Sequence, residues 1–159
     1  MGVDSDLYKL VLVLHILAAI VGFGGMLVAG FYGDEARKRP GREGLAIAET
    51  TLKVTGAVPT AAVFAVPILG ILLIFMSDDT WKFSEAWISL SFLLYFVLMG
   101  LATGIQVPAI RKMVALRSGA DGAQPLEMQA LGKKVAVVGG IVNVLWVIVL
   151  FLMVFKPGH

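Results

Sequence analysis

The chain of 159 residues contains no cysteine. Disulfides, thiolate metal sites, c-type haem attachment and cysteine nucleophiles are thereby excluded. Charge is sparse: Asp, Glu, Lys and Arg supply 15% of the residues, where a soluble domain carries roughly 25%. None of these charges lies in the interior of the long apolar runs. Ion-coupled transport therefore lacks the intramembrane carboxylate or base it commonly uses. Histidine occurs twice, as His15 and as His159 in the closing KPGH. A bis-histidine haem within one chain needs two buried histidines, and only His15 falls in an apolar run. There is no HExxH, no P-loop and no spacing that supports a Ser-His-Asp set, so no catalytic residue is assigned. Internal repeats and low-complexity tracts are also missing.

What the chain has in abundance is apolar length. Hydrophobic residues make up 58% of it, and the mean hydropathy is +0.90. A membrane-spanning helix needs roughly 20 apolar residues. Four stretches qualify: residues 8–32, 54–76, 86–110 and 135–155. Irregular backbone cannot face lipid, so each is expected to be helical. The fold expected is all-α, a polytopic transmembrane four-helix bundle with short loops, forming a single domain over residues 1–159 in a lipid bilayer. The first run does not read as a cleaved signal. It is too long, Asp4 and Asp6 precede it, and no small-residue cleavage motif comes after it.

The connections set an orientation. Arg37, Lys38, Arg39, Arg42 and Lys53 lie in the first, and Arg111, Lys112, Arg117, Lys133 and Lys134 in the third. Only Lys9, Lys82 and Lys156 lie on the other side. The positive-inside rule puts the ten in the cytoplasm and both termini outside, N-out and C-out. With their role topological, the basic residues give no sign of a nucleic-acid partner. Tyr8, Trp81 and Trp87 are expected as outer interfacial anchors. GREGLAIAETTLKV has helical spacing and is expected to extend the second span inward; LEMQALGKK, after Pro125, does the same for the fourth. The tip RSGADGAQP is turn-forming.

Inside the spans, His15, Ala18, Ala19, Gly22, Gly25, Met26 and Ala29 share one face of the first helix. Small residues let a backbone or a flat ligand approach closely. The face is thus either a helix-packing groove, or a wall for a planar cofactor with His15 as axial ligand. A buried imidazole needs a hydrogen-bond partner, and Tyr95 and Ser91 lie at matching depth. Pro59 and Pro67 bend the second span. Gly70 lies on the Pro67 face, where a neighbour can fit the bend. Gly100 and Gly104 form a GxxxG spacing that suggests close helix contact. Asn143, near mid-membrane, is expected to pair with Gln106 or Thr103. For a haem at His15, the second axial ligand would be Met76, Met153, the deeper Met99, a neighbouring subunit or water.

The segments LHILAAIVGFGG, VPILGILL and FLMVFKPG, with the basic first connection between the first two, resemble a family of uncharacterised bacterial four-span integral membrane proteins. That resemblance covers nearly the whole chain and implies a multi-pass protein of the bacterial inner (cytoplasmic) membrane. It brings no activity. More distantly, LHILAAIVGFGGM is similar to the first span of HemJ-type protoporphyrinogen oxidases and CopD-type copper-resistance domains. That similarity implies haem b at the position of His15, with Gly25 matching a glycine ten residues on. Gly22 stands where an aromatic residue is usual, and VAGFYGD replaces the Pro-Arg and the His after it. The resemblance therefore carries a haem ligand and not porphyrinogen oxidation. The site residues implied are His15, as ligand to haem iron or another metal, with Gly22 and Gly25 beside the cofactor. Three functions are compatible with these residues: haem or metal binding through His15 for electron transfer, an accessory or assembly subunit of a larger membrane complex or a homo-oligomer, and a small transporter or channel opened by the proline kinks.

Overall fold

The computed structural model describes residues 2–39, 41–54, 56–118 and 125–158. Six α-helices and one π-helical turn succeed one another: α1 (Asp6–Lys38), α2 (Gly41–Val54), α3 (Ala57–Met76), α4 (Ala86–Leu101), the π turn (Ala102–Gln106), α5 (Val107–Ser118) and α6 (Pro125–Phe155). No strand occurs among the described residues. Four segments are long and apolar enough to cross a membrane: Asp6–Ala36, Ala57–Met76, Ala86–Leu116 and Leu126–Phe155. The third is α4, the π turn and α5 in one continuous run. The protein is an all-α, four-helix membrane-spanning bundle.

Each helix begins and ends for a local reason. The Ser5 side chain accepts the Tyr8 amide at 3.3 Å and caps α1. Ser77 ends α3: its hydroxyl donates to the Ile74 carbonyl at 2.8 Å and accepts the Trp81 amide at 3.0 Å. Asp78 and Asp79 then turn through left-handed backbone, at φ 55° and 62°. Pro125 opens α6, where its missing N–H costs nothing, so LEMQALGKK does prolong the fourth span. The tip is helical through Ser118; residues 119–124 lie outside the described ones.

One sequence expectation changes. GREGLAIAETTLKV forms α2, a helix separate from α3 instead of its inward extension. The break falls at Gly56, whose ψ of −123° leaves the helical region. The helix is amphipathic, with Gly44 and Thr51 buried, and it packs against α1 and α5.

The helices pair as α1 with α3 and α4 with α6, the pairs meeting along α1 and α6. Phe23, Val63, Val66, Tyr95, Leu98, Ala102, Val142 and Val149 form the central core. Tyr8, Val11 and Leu73 form a smaller one with Met76 and Trp81. The chain buries only 17% to 28% of each spanning window. The apolar remainder, such as Ile20, Phe31, Phe75 and Val147, is what a bilayer would cover. The bundle has two unlike ends: the terminal end, where α1 starts and α6 finishes, and the basic end, which carries the ten clustered Lys and Arg.

Candidate functional site

The small-residue face of α1 is filled by α3. A β-carbon added to Gly22 would sit 2.9 Å from Val63 Cγ2, and one on Gly25 would sit 2.8 Å from Pro59 Cβ. Further toward the terminal end, the His15 ring packs against Gly70, its Cε1 3.3 Å from where a β-carbon would sit. These three contacts run in opposite directions along the two helices, so α1 and α3 are antiparallel and interlocked. The face works as a packing groove within this chain.

His15 contacts the backbone of Val66, but its Nδ1 is buried with no hydrogen-bond partner. Neither expected partner reaches that nitrogen. The Tyr95 hydroxyl donates to the Val63 carbonyl at 2.7 Å. The reason is Pro67. It has no N–H to give the carbonyl four residues back, and the freed Val63 oxygen becomes an acceptor for α4. Ser91 Oγ is buried and unpartnered, as is Trp146 Nε1. The carbonyl freed by Pro67 is thus taken up by a side-chain bond from α4. Of the candidate axial methionines, Met76 packs in the terminal cluster, and Met99 and Met153 pack against the central core. Among the described residues, no group of three or more His, Cys, Asp or Glu side chains could hold a metal ion.

The open space lies at the basic end. A crevice of about 410 Å³ runs between α1 and α6, floored by the π turn and α5 and touched by Ala48 of α2. Its walls are Met26, Ala29, Gly30 and Gly33 on α1, with Ala136, Gly139 and Gly140 on α6. Two amides, Gln106 and Asn143, supply polarity within the membrane-spanning segments. Asp34 stands at the basic rim, paired with Lys38 at 2.7 Å.

The π turn places Gln106. Val107 N–H bonds back to Ala102, five residues earlier, and Pro108 comes next. A proline clashes with the preceding helical turn, and one inserted residue relieves the clash while rotating the helix beyond it. Gln106 Nε2 comes to lie 2.9 Å from where a β-carbon on Gly139 would sit. Gly139 is the notch that admits the amide. Gln106, one of the partners expected for Asn143, lines the same crevice. Thr103 does not, because it is exposed and bonds back to the Met99 carbonyl at 2.7 Å. Gly100 and Gly104 face outward with nothing within 4 Å, so the GxxxG spacing makes no helix contact inside this chain. Sequence reasoning missed Gly30, Gly33, Ala136 and Asp34. For Gly30 and Gly33 the signal was the run of small residues beyond Gly25.

Tyr8, Trp81 and Trp87, expected as outer interfacial anchors, cluster together. Trp81 Nε1 donates to the Tyr8 hydroxyl at 3.1 Å, and the two indoles meet edge to face.

A family model described as "Predicted integral membrane protein (DUF2269)" matches residues 9–157. No curated protein and no solved structure matches the chain.

Proposed function

The chain belongs to the DUF2269 family of predicted integral membrane proteins, and from that premise we propose that it binds a small amphipathic molecule in the basic-end crevice. One observation carries this: an apolar cleft of about 410 Å³ with Gln106 and Asn143 as its polar groups. Ligand sites are commonly clefts of roughly 300–1,000 Å³, mostly apolar, with a few placed polar groups. Amides in a spanning segment are costly unless bonded, so a ligand head group with donors or acceptors suits them. The small residues of α1 and α6 leave room for a flat or chain-like body. The ten-to-three distribution of Lys and Arg supports a cytoplasmic basic end and entry from that side. Native mass spectrometry of gently extracted protein tests this. Wild type should carry a bound species, and Gly33→Leu, which fills the crevice, should lose it while remaining folded. Wild type free of any bound species would overturn the proposal.

Haem b or a metal held by His15 for electron transfer is a second candidate, and the orphaned Nδ1 favours it. The groove beside it does not fit the macrocycle as packed, since Val63 and Pro59 fill the space at Gly22 and Gly25. A haem there would require α1 and α3 to part, so no step is derived through it. Absorption spectra of oxidised and reduced purified protein decide the matter. A Soret band lost in both His15→Ala and His15→Asn assigns the ligand. Its absence in wild type removes haem b as the candidate. Docking on a larger membrane complex, or on a second copy, would use the outward face at Gly100 and Gly104. Crosslinking in the native membrane tests that separately.

A further inference from the structure

At the terminal end, Trp81 and Trp87 meet at 88° with ring centroids 5.5 Å apart, making two walls of a corner. Each indole is pinned independently of what the corner holds. Trp81 donates to the Tyr8 hydroxyl at 3.1 Å, and Trp87 donates to the Glu85 carboxylate at 2.6 Å. The Lys156 ammonium stands over Trp81 at 4.0 Å from the ring centroid, and 5.8 Å from that of Trp87. Cation–π attraction extends to about 6 Å, so Lys156 engages one wall well and the other at its limit. It leaves the end of α6 through left-handed backbone, at φ 43°, with its amide still bonded to the Leu152 carbonyl at 3.0 Å. The loop beneath carries Asp78, Asp79 and Glu85 against Lys82 alone, which favours cations. The corner also lies level with the helix ends at Met76, Ala86 and Phe155, where lipid head groups would stand.

We propose that the Trp81–Trp87 corner is a recognition site for an alkylammonium group, with Lys156 as its displaceable occupant. The ammonium belongs to an aminophospholipid head group or to a small soluble amine. The pinned indoles provide a preformed aromatic face, which is what ammonium recognition requires. An outside ammonium could centre itself between both walls. This site is at the opposite end from the crevice and does not depend on it.

The test uses full-length protein carrying Trp146→Phe, so that Trp81 and Trp87 alone emit. Lys156→Met vacates the corner and keeps the aliphatic stem. The protein is reconstituted in phosphatidylglycerol vesicles, in vesicles mixed equally with phosphatidylethanolamine, and in phosphatidylglycerol vesicles with added ethylammonium chloride. Lys156→Met should change its tryptophan emission with an ammonium source, and adding Trp81→Leu should abolish the change. A response to phosphatidylethanolamine alone assigns a lipid head group. A response to ethylammonium as well assigns the ammonium itself, from either source. No response to either would overturn the proposal. Wild type provides an independent measurement. Acylation of Lys156, with reagent in excess over all amines, should rise about threefold when either source displaces it. Unchanged labelling would also overturn the proposal.

Discussion

Helix α1 carries glycines in two places, and they do opposite things. Toward the terminal end, Gly22 and Gly25 admit α3 so closely that a β-carbon would collide with Val63 or Pro59. Toward the basic end, Gly30 and Gly33 have nothing within 4 Å and border the crevice. The residue type is the same, and what differs is the neighbour. Near Gly22, α3 is bent by Pro67 and tied to α4 through Tyr95. Near Gly33, α3 has ended at Ala57 and only the smaller α2 lies beyond it. A glycine stripe in a spanning helix therefore reads as packing where a partner runs the full distance, and as a cavity wall where it stops.

The largest effect that can break this contrast is on the packed side. Gly25→Leu should lower the thermal midpoint in detergent strongly, since overpacking costs about 1–3 kcal/mol or more. Gly33→Leu should leave it nearly unchanged. Equal losses would mean that both glycines pack. Next in size is Tyr95→Phe, which removes the bond to the Val63 carbonyl and should cost about 1 kcal/mol. Pro67→Ala sharpens the point. It restores an α3 N–H to that carbonyl, so Tyr95→Phe should cost much less in that background. A double-mutant cycle with no coupling would contradict the link. Smaller again is His15→Asn, expected to melt within about 1 kcal/mol of wild type, because it keeps a polar group beside the Val66 backbone and no bond to Nδ1 is lost. Smallest is Asn143→Leu. It should leave the midpoint level or slightly raised while weakening ligand retention, the usual trade at a binding site.

Much of the architecture was readable from the chain. The four spans come from long uncharged runs; the observed helices share the expected limits at Met76, Ala86 and Phe155, while the first, third and fourth run further at the basic end, to Ala36, to Leu116 and from Leu126. The face from His15 to Met26 was recognisable by its spacing, but spacing could not choose between a helix and a cofactor as its occupant. Val63 and Pro59 stand beside Gly22 and Gly25 in this structure, and they lie 41 and 34 residues away in the sequence. The pairing of Pro67 with Tyr95 was hidden for the same reason: a proline announces a free carbonyl but not who takes it. Gly100 and Gly104 show the limit of a motif, since GxxxG permits close contact without supplying a partner. The crevice was the least legible feature. It depends on the π turn before Pro108, which rotates Gln106 toward Gly139, and on the early end of α3. Neither leaves a periodic trace in the residues.

The contrast between the closed and open stretches of α1 can be measured directly, because the chain has no native cysteine to interfere. Single substitutions Gly33→Cys and Ala19→Cys place one thiol each on the same helix, the first in the crevice wall and the second against the central core. Both are treated with a small membrane-permeant maleimide in native membranes. The account predicts rapid labelling at Gly33→Cys and protection at Ala19→Cys until the protein is unfolded. Equal labelling at both positions, or protection at Gly33→Cys alone, would contradict it.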